Sequence, residues 1–225
     1  MLAVELREHV PFSVSAVAIG LTLAGLICLL GFVGSDEVAA GGDGHASHAA
    51  HPALLFFHLF HPMHMLFSAT ATTAMFCRYE SRAGKAVVIG LIGSIGVCGV
   101  SDIVMPQLSL VLLGSAGPWH VCVYEDPGTV LPFAAVGVLV GLLAAGGVMR
   151  STIISHSLHV FASTMASVFY MIGPLGILAW IDDLGMVFLF VVLAVVVPCC
   201  VSDIVFPLLM SHAGRERYTQ DPHAH

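Results

Sequence analysis

Two nine-residue stretches, Cys98–Pro106 (CGVSDIVMP) and Cys199–Pro207 (CCVSDIVFP), agree at seven positions, and each lies near the end of a long apolar run. This placement restricts the fold more than any other feature of the chain. Inside lipid only a helix or a closed barrel satisfies its own backbone, and an aspartate there is a functional-site candidate by default. The proline adds a mechanical consequence, because within a helix it has no N–H for the carbonyl four residues back. Pro106 thereby releases the carbonyl of Asp102, and Pro207 that of Asp203. Ser101 and Ser202 place a hydroxyl beside each acid. Two readings follow: an oxygen-rich spot suited to a cation or a proton, or a kinked helix whose aspartate is neutral and bonded to a neighbour.

The chain around these stretches has the composition that lipid requires. Its 225 residues are 58% hydrophobic and 9% charged, with mean hydropathy +0.97, whereas a soluble domain carries about 25% charged residues. Six runs reach the roughly 20 residues needed to cross a bilayer, at 11–34, 53–77, 86–113, 129–149, 152–180 and 184–210. The expectation is an all-α integral membrane protein with six transmembrane helices. The first run follows Glu5 and Glu8 and exceeds the apolar core of a signal peptide, so it is expected to be a retained helix. Arg7, Arg78, Arg82, Lys85, Arg150, Arg215 and Arg217 all fall on one side of this arrangement, and the alternate loops carry only acidic charges. Positive loops stay inside, which places both termini in the cytoplasm and the protein in a cytoplasmic or inner membrane. The basic residues form no patch, so no nucleic-acid partner is expected. Most of the six cysteines sit within apolar runs, which argues against a disulfide framework.

The duplication reaches beyond the aspartates. His61, His64 and Ser68 in the second run match His156, His159 and Ser163 in the fifth, as HxxHxxxS. Pro11-Phe12 and Pro132-Phe133 open the first and fourth. The chain therefore reads as two repeats of three spans, residues 1–114 and 115–212, with a short cytoplasmic tail at 213–225. Three is odd, so consecutive copies insert upside down relative to each other. Inverted-topology repeats with a site at their interface are a recurring transporter architecture.

Each half then offers two imidazoles and a carboxylate: His61, His64 and Asp102 in one, His156, His159 and Asp203 in the other. That set suits a divalent first-row metal, Zn, Fe or Mn. Supporting roles fall to Ser68, Ser101, Ser163 and Ser202, to Pro106 and Pro207, and to His58, which extends the histidine stripe in the first repeat only. Cys98 and Cys199 are duplicated and qualify as ligands standing further out; with the nearby methionines they would suit copper(I), but methionine is also ordinary apolar filler. A hydrogen-bonded or proton-carrying network and haem ligation are the alternatives. A rise of about 1.5 Å per residue places the first set towards the outer face and the second towards the cytoplasm, as one dinuclear centre or two stations. A His-rich loop at 40–51 and the tail could collect metal or simply be solvated chain. Between Gly117 and Asp126, Trp119 and Tyr124 suit an interfacial anchor, while His120, Cys122 and Glu125 could contact a metal or substrate.

The function expected is transport of a transition-metal dication across the membrane, with proton coupling an open feature. A membrane-embedded metal hydrolase using the same His, Asp and Ser residues is the second reading, and a haem-binding electron carrier the third. The expected partners are the metal ion and the bilayer, and a homo-oligomer is compatible with the sequence. No Walker motif, dinucleotide fingerprint or nucleophile elbow is present.

Overall fold

The computed structural model describes residues 2–30, 52–115, 117–144 and 149–211. The His-rich loop at 40–51, the tail and the side chain of His156 lie outside the described residues. Every regular element within them is helical: α1 (Leu2–Leu29), α2 (Pro52–Tyr79), α3 (Ala83–Leu112), the single turn α4 (Cys122–Glu125), α5 (Pro127–Ala144), α6 (Met149–Leu175), α7 (Ile177–Asp182) and α8 (Leu184–Met210). Four of them are long and apolar enough to cross a membrane: α3, α5, α8 and the Ser157–Leu175 part of α6.

Most expected boundaries recur within a few residues, and two differ for identifiable reasons. The first helix starts at Leu2 rather than 11 and runs through Pro11. The span expected at 152–180 stops at Leu175, where Gly176 adopts a φ of 76° and donates its N–H back to Ile172 at 2.8 Å. Glycine takes that left-handed conformation without a Cβ clash and so ends helices. The segment beyond it is the separate short α7.

The distribution of polarity is the reverse of a water-soluble fold. Leu139 and Leu143 on α5, Leu108 and Val111 on α3, and Leu189 and Leu193 on α8 are exposed. His61, His64, Ser68, Asp102, His159 and Ser163 are fully buried. Apolar surface outside and polar groups inside suit a membrane protein, where ionisable residues face the bundle interior. The centre of the bundle is α2 against α6, with α5 and α3 also on α2 and with α1 and α8 on α6. Lys85 at the start of α3 bonds Glu80 at 2.9 Å and the Met210 carbonyl at 2.8 Å, so the α2–α3 connection lies beside the end of α8. At the opposite end His58 of α2 meets His120, between α3 and α4.

Close approach of α5 to α2 depends on two glycines four residues apart. A Cβ on Gly137 would lie 2.3 Å from the Leu66 carbonyl oxygen, and one on Gly141 2.7 Å from that of Thr70. Thr70 also donates its hydroxyl to the Gly137 carbonyl at 3.1 Å. Small residues at this spacing let helix backbones touch, and packing replaces the hydrophobic effect as the driving force in lipid. Gly137→Ala is therefore expected to destabilise the detergent-solubilised protein by about 1–3 kcal/mol, the usual penalty of overpacking. Gly185→Ala, where a Cβ meets nothing within 4 Å, should leave the melting temperature unchanged or raised. Equal melting of the two variants would mean that α5 does not rest on α2 in this way.

Both aspartate stretches leave the α-helix at the same five residues. Val100–Val104 and Val201–Val205, VSDIV in each case, are π-helical. The Met105 N–H accordingly reaches five residues back to the Val100 carbonyl. Pro106 and Pro207 sit in the first turn of the α-helical segments that follow. The missing proline N–H thus falls directly after a widened turn. Such π segments concentrate at functional sites.

Candidate metal centre

Asp102 is the hub of the buried polar interior. Its Oδ2 accepts from His61 Nδ1 at 2.8 Å and from His64 Nδ1 at 2.6 Å. Its Oδ1 accepts from the Ser101 hydroxyl at 2.9 Å and the Ser163 hydroxyl at 3.0 Å. A carboxylate has about four lone-pair directions, and all are engaged here. These contacts fix the orientation of both imidazole rings. Asp203 accepts from His159 Nδ1 at 2.5 Å, the matching contact in the second half.

Holding each imidazole through Nδ1 leaves Nε2 as the nitrogen that could ligate a metal. His64 Nε2 lies 3.4 Å from Cys98 Sγ and 3.8 Å from Cys199 Sγ. The His64 and His159 ring centroids are 4.4 Å apart. One ligand atom from each of His64, His159 and Cys199 falls within 4.8 Å of the others, with all three residues buried. This is a grouping able to hold a metal ion. A carboxylate behind each ligating histidine fixes its tautomer and raises its basicity, the usual outer support of a metal site.

The hydroxyls join the halves in matched pairs. Ser68 meets Ser202 at 3.1 Å, and Ser163 meets Ser101 at 3.5 Å. Thr72 donates to the Ser202 carbonyl and Ser167 to the Ser101 carbonyl, both at 3.2 Å. Comparison with protein-family models, curated proteins and solved structures gave no match. The site is accordingly read from its own geometry. Thr72 and Ser167 were legible signals, each four residues beyond the serine of its HxxHxxxS motif.

The remaining sequence candidates separate from this centre. Pro106 and Pro207 shape the helix ahead of the acids. His58 stands apart, its Nε2 2.7 Å from His120 Nε2. His120 Nδ1 in turn is 2.5 Å from Glu125 Oε2. Cys122 completes a second group, its sulfur within 4.8 Å of ring nitrogens of both histidines. Burial pushes the Cys122 thiol up to about 12, and the Glu125 carboxylate adds to that shift. Trp119 and Tyr124 are exposed on the same segment.

Proposed function

We propose that the protein is a membrane carrier for a transition-metal dication, built from two inverted three-helix repeats at 1–114 and 115–212 with both termini cytoplasmic. The observation that carries this reading is the convergence of duplicated residues. His64 and Cys98 come from one half, His159 and Cys199 from the other, and an aspartate in each half holds its histidine. The paired Ser–Ser and hydroxyl–carbonyl contacts between halves support a pseudo-symmetric interface.

The donor set favours zinc within the expected group of Zn, Fe and Mn. The His64, His159 and Cys199 grouping, with Cys98 Sγ 3.4 Å from His64, offers the imidazole and thiol donors that zinc takes, while manganese prefers oxygen. Copper(I) would also accept these sulfurs. The two buried aspartates favour a dication, since no Lys or Arg is buried among the described residues. Each thiol that becomes a ligand gives up its proton, which couples metal uptake to proton release.

A cargo site split evenly between two halves suits alternating access. If the repeats rock against each other, each half keeps one imidazole and one thiol, coordination falls, and the ion is released. The hydrolase reading lacks comparable support: Ser101 and Ser163 donate to Asp102, and Ser68 is engaged with Ser202. Rings 4.4 Å apart at His64 and His159 leave no gap for a porphyrin between them.

Reconstitution in liposomes containing a zinc-sensitive dye tests the proposal. Wild type is expected to admit Zn2+ and to move protons the other way, and His64→Ala with His159→Ala to do neither. Metal bound tightly with no flux would make this a structural centre instead of a carrier.

A further inference from the structure

Along α2, one helical turn outward from His61, the groups His58, His120, Cys122 and Glu125 repeat the logic of the buried centre with different residues. His120 is held through Nδ1 by the Glu125 carboxylate at 2.5 Å, and Glu125 is itself fixed by the Val121 N–H at 3.1 Å. His120 Nε2 is thereby turned onto His58 Nε2, 2.7 Å away. The Cys122 sulfur completes the trio and is buried, while the two histidines are half-buried. The His120 backbone N–H bonds the Tyr170 hydroxyl at 3.4 Å, Tyr170 donates to Gln107 at 3.1 Å, and Gln107 donates to the Gly117 carbonyl at 2.8 Å. The segment carrying His120 and Cys122 is thus tied to α3 and α6 and presented rigidly to α2. Two aimed imidazoles, a thiol and an orienting carboxylate are what a transition metal requires.

A second observation links this group to the interior. Phe57, fully buried, stacks on His61 with centroids 5.1 Å apart and also touches the His58 and His120 rings. His61 spends only its Nδ1 on Asp102; its Nε2 is buried with no hydrogen-bond partner among the described residues. A buried polar nitrogen left unmet is costly. Residues three apart share a helix face, so His58, His61 and His64 form a ladder from the outer trio to the buried thiols.

We propose that His58, His120 and Cys122 form a second, outer site for a borderline transition dication such as Zn2+, from which the ion passes by way of His61 Nε2 to the buried centre. The passage rests on the carrier reading above, whereas binding at the outer trio does not. The sequence repeat contains no counterpart, since Ile153 stands where a second His58 would be. Loading through this trio is therefore a property of one face only and gives the carrier a direction.

Cobalt titration of the full chain in nanodiscs tests both parts, because thiolate bound to Co2+ has a charge-transfer band in the near ultraviolet. The Cys98→Ser/Cys199→Ser variant is expected to retain part of the wild-type band, and adding Cys122→Ser to abolish the rest. Glu125→Gln on the double-serine background should weaken the outer site about 10–100-fold, as loss of an orienting carboxylate does. In otherwise wild-type protein, His61→Phe should leave equilibrium cobalt stoichiometry unchanged at the outer trio but slow filling of the buried centre in stopped flow. A double-serine variant with no thiolate band, or a band indifferent to Cys122→Ser, overturns the outer site. Filling at the wild-type rate in His61→Phe overturns the passage. A Cys122→Ser single variant that loses the whole band would instead sink the buried centre and leave the outer site standing.

Discussion

Cys98→Ser combined with Cys199→Ser should empty the buried centre of metal while leaving the protein folded. Serine is close to cysteine in size but replaces a soft donor with a hydroxyl that does not ionise near neutral pH. Both sulfurs face His64 Nε2, at 3.4 and 3.8 Å, so the pair of substitutions removes half of the proposed donors without touching Asp102 or its four bonds. Loss of a mere orienting partner lowers metal affinity about 10–100-fold; loss of two direct ligands should exceed that. Chelator competition with Zn2+ measures the affinity, and elemental analysis of the purified protein measures the stoichiometry. Cys28→Ser is the control, because Cys28 is buried yet belongs to neither His/Cys grouping. Zinc affinity indistinguishable from wild type in the double variant would remove the thiols from the centre.

The roles of these residues show where sequence reasoning ends. The duplicated aspartates and histidines were legible because polar residues inside apolar runs are few and their spacings repeat. Which of them face a cation was not, since a carboxylate that binds a metal and one that aims a histidine leave the same mark in a sequence. The relevant contact is three-dimensional: Ser163, from the other half of the chain, donates to Asp102 Oδ1. Cys98 and Cys199 do not stand out in the sequence, because a cysteine in an apolar run is ordinary core, and only convergence on His64 distinguishes them. The widened π turns were hidden for a similar reason. A proline announces a missing N–H, but whether the helix kinks or widens depends on what packs beside it. Gly137 and Gly141 were equally open to view, yet glycine is common in this chain, and only the 2.3 Å approach to Leu66 marks a contact. His58 illustrates the opposite case. It fits the histidine stripe of its helix, but its partner is His120, more than sixty positions along the chain.

Asp102→Asn and Asp102→Ala are expected to fail in different ways, and the difference identifies what the carboxylate does. Asparagine is nearly the same shape and offers one acceptor oxygen and one donor group. With its oxygen towards His61 and His64, its amide N–H groups meet Ser101 and Ser163, whose hydroxyls can rotate to accept. The fold should therefore survive. The negative charge that makes His64 a strong donor is gone, however, and zinc affinity should fall about 10–100-fold. Alanine leaves two imidazole N–H groups with no acceptor in a fully buried place, at about 1–3 kcal/mol for each unmet group, while Ser101 and Ser163 fall back on the Cys98 carbonyl and the Ser101 hydroxyl. That variant should unfold or melt far below wild type before its metal affinity can be compared. Cobalt at saturating concentration separates aiming from ligation. If Asp102 only aims His64, the ligands around the metal are unchanged in Asp102→Asn, and the shape of the visible cobalt spectrum should match wild type once the site is filled. A spectrum altered in shape at saturation would make Asp102 a direct ligand, and the division of labour between carboxylates and thiols would have to be reversed.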